Sequence, residues 1–340
     1  MNSSCFALCA NFRHKVVVAA ILLAGLPLLC KAVPLKDLNV RDPFILADEK
    51  SHTYYLYCSS SVERDGKEVG GVAVYRSRDL QDWQGPEQVF VVPDDNWLTG
   101  RVWAPEVHCY KGKYYLFATL NTDMEWKKRR EGWPPYLYRG TQIFHADSPT
   151  GPFRPFGTTP HTPADGMCLD GTLYVEEGTP YMVYCHEWVQ TVDGEMQLQQ
   201  LSPDLSQPVG RPLTLFCASA APWSNGLVVN DKGETTYVTD GCFLYKTSKG
   251  KLLMLWSSFM DNRYAIGIAT SATGRVAGPW RQQDEPLFCG DGGHCMLMRT
   301  FEGKLCIVFH APNSPAGAER ACLYELTDNG ETLALGRRLQ

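Results

Sequence analysis

Apolar and polar positions fall into the same pattern five times along this chain: an apolar strand, a short polar turn, then a second strand rich in apolar and aromatic residues. The five copies are PFILADEKSHTYYLYCS (43–59), EVHCYKGKYYLFATL (106–120), GTLYVEEGTPYMVYCH (171–186), CFLYKTSKGKLLMLWSSF (242–259) and MLMRTFEGKLCIVFHA (296–311). Apolar runs this short, bounded by turn residues, read as strands. Lys111-Gly112, Glu177-Gly178, Lys249-Gly250 and Glu302-Gly303 supply hairpin chemistry between them. A second signature follows each hairpin: SRDLQDW (77–83), ADSPTGPF (146–153), LSPDLSQP (201–208), TSATGRVAGPW (270–280) and, more weakly, ELTDNGETL (325–333). Self-similarity at a period of about 60 residues implies radial repetition. Four strands per unit then predict an all-β, five-bladed β-propeller in a single domain, with few helices and no linker. A two-sheet sandwich would explain the strands but not the fixed order of hairpin and edge signature.

Composition agrees with that reading. Nine Trp, sixteen Tyr, 30 Gly and 22 Pro suit a turn-rich β protein. A formal net charge of −5 argues against a nucleic-acid binder that works by neutralising phosphates. The basic, aromatic stretch Asp123–Arg139 (DMEWKKRREGWPPYLYR) interrupts the second unit and reads as a loop walling one mouth of the propeller.

The first thirty-two residues stand apart. Arg13 and Lys15 precede an apolar run from Val16 to Leu29, too short to span a bilayer comfortably but suited to a signal peptide. Cys30-Lys31-Ala32 offers small residues for cleavage before Val33, so residues 1–32 are expected to leave and 33–340 to be exported, periplasmic or secreted, without membrane insertion. Their loss takes the formal charge to −8, since only Arg13, Lys15 and Lys31 are charged there. Ten of the thirteen cysteines remain. Cys58, Cys109, Cys185 and Cys306 lie within strand-like runs, where a small buried thiol is expected rather than a disulfide framework. No Cys or His spacing suggests a zinc site.

Counting back from the hairpin turns gives the chemistry. Asp42, Glu106, Asp170 and His294 each lie four residues before a matching strand position, and Asp240 lies five before. The inner strands of a propeller line its axis, so these five groups are expected to converge at one end. Crowded carboxylates raise one another's pKa, which suits general-acid chemistry. An acid and a base about 6.5–9.5 Å apart leave room for the water of an inverting glycosidase.

At these residues the chain resembles the five-bladed glycoside hydrolases of family 43, from about residue 35 to its end. The motifs that carry the resemblance are Arg41-Asp42-Pro43-Phe44-Ile45, Trp103-Ala104-Pro105-Glu106-Val107 and Gly292-Gly293-His294. The family includes arabinanases, α-L-arabinofuranosidases and β-xylosidases. The resemblance implies that Asp42 is the general base and that Asp170, in CLDGTLY, tunes and orients the acid. The acid is usually a Glu in a run like TEGPxLY; here the run is Thr239-Asp240-Gly241-Cys242-Phe243-Leu244-Tyr245, one methylene shorter at the key position. Glu187, in Cys185-His186-Glu187-Trp188, is the second candidate for the acid, whereas Glu195 reads as hairpin surface. His294 resembles the family's axial histidine, beside which a water or an ion is held; no cofactor is otherwise required. Arg263 resembles a channel arginine that binds substrate, and Glu106 faces the same mouth. Trp103, Trp188 and Trp223 are candidates for stacking on a sugar, with Trp83 and Trp280 packing blades.

The implied activity is inverting, exo-acting hydrolysis of α-L-arabinofuranosides or β-D-xylosides by a monomer. Three alternatives stay open: a related propeller acting on fructosides, galactofuranosides or anhydrogalactose, a phosphorylase, and a glycan binder without turnover. No WMNDPNG-like opening favours a fructosidase.

Overall fold

The computed structural model describes residues 32–340, so the expected leader and its cleavage site before Val33 lie almost wholly outside the described residues. Five antiparallel sheets follow one another along the chain. The first blade is built from Phe44–Asp48, Thr53–Arg64, Lys67–Ser77 and Asp82–Val91. The second uses Val102–Tyr110, Lys113–Lys127, Tyr136–Ala146 and Arg154–Pro155, and the third Cys168–Glu176, Thr179–His186, Glu195–Leu201 and Pro208–Cys217. Asp240–Lys246, Leu252–Met260, Arg263–Ser271 and Trp280–Gln282 make the fourth, and Gly293–Arg299, Leu305–Ala311, Arg320–Asp328 and Leu333–Arg338 the fifth. Each blade packs on its sequence neighbour and the fifth returns to the first, giving the five-bladed propeller that the repeat predicts. The α-helical content is one turn, Trp188–Thr191.

The hydrophobic runs are continuous, rather than alternating, because both faces of a blade are covered. Along Leu252–Met260, Leu252, Met254 and Trp256 pack toward the third blade, while Leu253 and Leu255 pack toward the fifth. In the second blade, Tyr115 and Phe117 face the third blade, and Tyr114, Leu116 and Ala118 face the first. A strand sends successive side chains to opposite faces, so burying both faces requires an unbroken apolar run. The edge signatures are the turns into the outer strands. In SRDLQDW, Asp79 Oδ1 accepts the amides of Gln81 and Asp82, and the buried Trp83 indole donates to Leu80 O.

Every blade is made from one stretch of chain, so no strand exchange closes the ring. An N-terminal strap does so instead. Val33–Pro34 pair with Asp82 and Trp83 at the outer edge of the first blade. Leu35, Leu38 and Val40 are then buried in the cluster shared by the first and fifth blades. Asn39 Nδ2 donates to the carbonyls of Gly317 and Glu319 in the fifth blade.

All ten described cysteines are free. Cys58, Cys185 and Cys306 are buried as expected, but Cys109 is exposed, because it sits at the hairpin end of its strand, two residues ahead of Lys111. Among the described residues no helix is long and apolar enough to cross a membrane.

If the strap holds the ring shut, Leu35→Ala should cost about 2–5 kcal/mol, the range for truncating a fully buried leucine. Denaturant unfolding measures this, and a change below about 0.5 kcal/mol, the range of ordinary surface substitutions, would show that closure does not depend on the strap.

Candidate active site

The start of the inner strand carries the same local distortion in four of the five blades. In the third blade, Leu169 pairs with Cys185 and Thr172 with Val183, so Asp170 and Gly171 together oppose the single residue Tyr184. The same two-against-one bulge places Ala104-Pro105 in the second blade, Gly241-Cys242 in the fourth and His294-Cys295 in the fifth. The first residue of each bulge is left-handed, with φ of 41° at Ala104, 57° at Asp170, 31° at Gly241 and 53° at His294. Asp42, at φ 50°, occupies that place just before the first blade's inner strand. A bulge of this kind re-aims one side chain and strengthens the local twist. Five left-handed residues around a ring aim five positions at one end of the axis.

The expectation of five ionisable groups in register is therefore corrected to three. Asp42, Asp170 and His294 hold the bulge position, whereas Ala104 and Gly241 hold it in the second and fourth blades. Asp240 lies one residue earlier, in the place of Arg41, Trp103 and Leu169, and these four residues form the wall above the bulges. Glu106 lies two residues later; it is buried, with Oε2 2.7 Å from His108 Nε2, and does not line the pocket.

Above the bulges lies a cavity of about 420 Å³, lined by Asp42, Asp170, Asp240 and Glu187 with Arg41, Trp103 and Trp188. His294 ties the carboxylates together from below. Its Nδ1 lies 3.3 Å from Asp42, 3.7 Å from Asp170 and 3.9 Å from Asp240. Ser257 Oγ holds the His294 amide at 2.8 Å. Gly241 makes the close approach feasible: a Cβ there would lie 2.5 Å from His294 Cγ. Its amide faces two carboxylates at once, 3.2 Å from Asp170 Oδ2 and 3.2 Å from Asp240 Oδ1.

These surroundings drive the two bulge aspartates apart. Burial pushes Asp42 up, but the charge of His294, the hydrogen bond and charge of His310, and Arg41 together hold it well below the usual carboxylate range. His310 Nδ1 lies 3.2 Å from both the Asp42 amide and its carboxylate, so it can serve only one of them at a time. Asp170 moves the other way. Burial, the charge of Asp240, a hydrogen bond with Asp240 and the charge of Asp42 all raise it well above a normal aspartate, against the Gly241 amide. The two carboxyls are thus biased in opposite directions, Asp42 toward its ionised form and Asp170 toward its protonated form.

Glu187 approaches from a different wall, after the second strand of the third blade. Its carboxylate is bonded to the buried Arg139 guanidinium. Burial raises its pKa, and the charge of Asp240 adds to this, while the charge and hydrogen bond of Arg139 work against both without reversing the direction. Arg139 also lies over the Trp103 ring at 4.3 Å. The motif pattern does not single out Arg139, yet it ends the basic insertion that was expected to wall this mouth. That insertion reaches the third blade, where Arg130 Nη2 donates to the carbonyls of Val189 and Gln190.

Two further expectations are corrected. Trp223 is 3% exposed and packs against Trp256 with ring centroids 5.0 Å apart, so it is core and not a sugar platform. Arg263 is exposed at the hairpin with Met260 and does not line the pocket; Arg41 does, and Arg139 stands behind Glu187. Glu195 is half-buried, near His186 Nδ1 at 3.2 Å and bonded to Gln197 Nε2 at 2.6 Å, one strand behind Glu187. Asp170, Asp240 and His294 each offer one ligand atom within 4.8 Å of the others, a donor set suited to a cation.

The family model described as "Glycosyl hydrolases family 43" matches residues 32–333. Among curated relatives, Alpha-L-arabinofuranosidase 43 of Humicola insolens is 24% identical over 56% of this chain and 37% of its own length. Extracellular exo-alpha-(1->5)-L-arabinofuranosidase ArbA of Cellvibrio japonicus is 25% identical over 29% of this chain and 28% of its own. The chain thus spans about a third of the length of these relatives. Among solved structures, an endo-arabinase from Bacteroides thetaiotaomicron is 40% identical, with a TM-score of 0.77 over 89% of this chain and 99% of that one. A thermostable family-43 glycoside hydrolase at 23% identity and TM-score 0.71 covers 91% and 97% and shares the fold.

Gly241→Ala should cost about 1–3 kcal/mol, the range for overpacking. A double-mutant cycle with His294→Ala checks the cause: if the ring is what the new methyl meets, most of that cost disappears when the ring is gone.

Proposed function

The chain belongs to glycoside hydrolase family 43, and from that premise we propose that it hydrolyses α-L-arabinofuranosyl linkages with inversion at the anomeric carbon. The observation that carries the chemistry is the pairing of an ionised Asp42 with a raised Glu187 on different walls of one pocket. The arabinofuranosyl choice is supported by the two arabinofuranosidases among the curated relatives and by the 40% identical endo-arabinase. The leader-like N-terminus and the extracellular relative support export to the periplasm or beyond.

In this reading Asp42 takes a proton from the water that attacks the anomeric carbon, and Glu187 protonates the departing glycosidic oxygen. Asp170, buried and biased toward its protonated form by its acidic neighbours, lessens the negative charge on the crowded floor. Glu187 is favoured over Asp240 on two grounds. Asp240 shares the Gly241 amide with Asp170 and stands on the same His294 nitrogen as Asp42, so it belongs to the base's cluster. An inverting acid must instead face the base across the bond to be broken, with a water between. Glu187 is also longer by a methylene and approaches from a separate wall. A cation held by Asp170, Asp240 and His294 would supply positive charge beneath the sugar; no step of this reading runs through it.

Hydrolysis of aryl α-L-arabinofuranoside, β-D-xyloside, β-D-galactofuranoside and β-D-fructoside tests the glycone, with arabinose released first as the β-anomer by NMR. Silence across this panel and on arabinan would overturn the reading. Removing the general acid should cost about 10²–10⁴-fold. Glu187→Gln should show that loss on oligosaccharides yet spare dinitrophenyl glycosides, whose leaving group needs no proton. Asp240→Asn should slow both alike, and the reverse pattern would move the acid to Asp240.

Activity should fall as pH rises through the Glu187 pKa, because only the protonated form can donate. Arg139 lowers that pKa, so Arg139→Gln should shift the basic limb of kcat/KM to higher pH. An unmoved or lowered limb would contradict the assignment.

A further inference from the structure

A second cavity, about 360 Å³, lies between the first and second blades; it shares Trp103 with the axial pocket, and its wall residue Arg139 is bonded to Glu187, which lines that pocket. Its other walls include Glu68, near the start of the first blade's third strand, and Arg101, just ahead of the second blade's inner strand. Asp123 and Leu137 complete it from the second blade's long hairpin. In an antiparallel blade these positions all sit at the end where the inner strands begin. The two cavities are therefore one cleft, bent around Trp103.

We infer that this furrow binds the sugar residues of the departing chain, beyond the bond that is cut. The inference rests on the assignment of Glu187 as the acid. The glycosidic oxygen must then meet Glu187, whose partner Arg139 is itself a wall of the furrow. What is attached to the far side of that oxygen leaves toward Arg139 and Trp103. The chemistry of the furrow fits a saccharide. Trp103 is 38% exposed, with the Arg139 guanidinium over its ring at 4.3 Å, and an indole face accepts the C–H face of a sugar. Glu68, Arg101 and Asp123 are exposed, and among the described residues their side chains make no hydrogen bond or ion pair. They offer donors and acceptors to ring hydroxyls without breaking an existing network. Asp123 and Leu137 of the outer wall belong to the insertion that sets the second blade apart from the others.

The test compares an aryl monoglycoside, which needs only the axial pocket, with α-1,5-linked arabino-oligosaccharides of two to five units. Two sets of variants alter the furrow and leave the axial carboxylates alone: Arg101→Ala with Asp123→Ala, and Asp123→Trp to fill the space. The wild-type kcat/KM should rise with oligosaccharide length. Both sets should keep the aryl rate within about twofold, and should lose about tenfold on the longest substrate, as expected when one stacking or hydrogen-bonding contact is removed. The same tenfold weakening should be seen when pentaose binding is measured by calorimetry on an Asp42→Asn background. Equal losses on aryl and oligomeric substrates, or no loss on either, would overturn the furrow as a subsite. Failure of the parent reading shows elsewhere: in an inactive wild type on arabinosides, or in a reversed leaving-group pattern for Glu187→Gln. If another glycone is the one released, its own oligomers replace the arabinan series and the length dependence is read in the same way.

Discussion

The site depends on a backbone constraint before it depends on any side chain: a left-handed residue where every blade meets the axis, which opens a two-residue bulge in four of the five. Without it the inner strands would continue their pleat and send alternate side chains into the blade interfaces, as Leu253 and Met254 are sent. With it, Asp42, Asp170 and His294 turn inward together at φ values between 50° and 57°. The two blades that place no functional group there carry Ala104 and Gly241, and Gly241 leaves room for the His294 ring. The strap matters for the same reason. It joins the first blade to the fifth just ahead of Asp42, so the Asp42–His294 approach of 3.3 Å spans the closure of the ring.

From that geometry the electrostatics follow. Two aspartates of identical chemistry occupy equivalent left-handed positions, and what stands beside them moves their pKa values in opposite directions. Asp42 has His294, His310 and Arg41; Asp170 has Asp240, Asp42 and deep burial. Environment sets the roles of paired carboxylates in this way when a single site must hold both an ionised and a protonated group. The low pKa of Asp42 makes it a weak base in the ground state. Its value lies in being ionised at every working pH, with its charge available as positive character builds at the anomeric carbon.

Much of this was legible along the chain. The five-fold repeat, the blade boundaries and the convergence of Asp42, Asp170 and His294 all follow from periodic apolar runs and from the spacing of acids to turns. The register of Asp240 and Glu106 was not legible, because a bulge adds a residue that leaves no mark in the hydrophobic pattern. Trp223 was misread because a tryptophan between blades and one beside a sugar look alike in sequence; only packing against Trp256 separates them. Arg263 and Arg139 exchanged importance for a related reason. The contact between Arg139 and Glu187 spans 48 residues and two blades, so no local motif announces it.

The fourth-blade aspartate ties these points together. The resemblance leads one to expect a glutamate at position 240, and here the side chain is one methylene shorter. An aspartate there folds back onto the Gly241 amide, which it shares with Asp170 on the floor of the pocket. In the proposed reading the opposite wall is filled by Glu187, whose carboxylate is bonded to Arg139. Arg139 in turn is held by Asn121 and lies over Trp103, the residue around which the cleft bends. A shorter acid at one blade, an insertion at another and a furrow between two blades are then parts of one arrangement. On the proposed reading, the proton donor's partner Arg139 and the path of the leaving chain both lie on the side of the second blade.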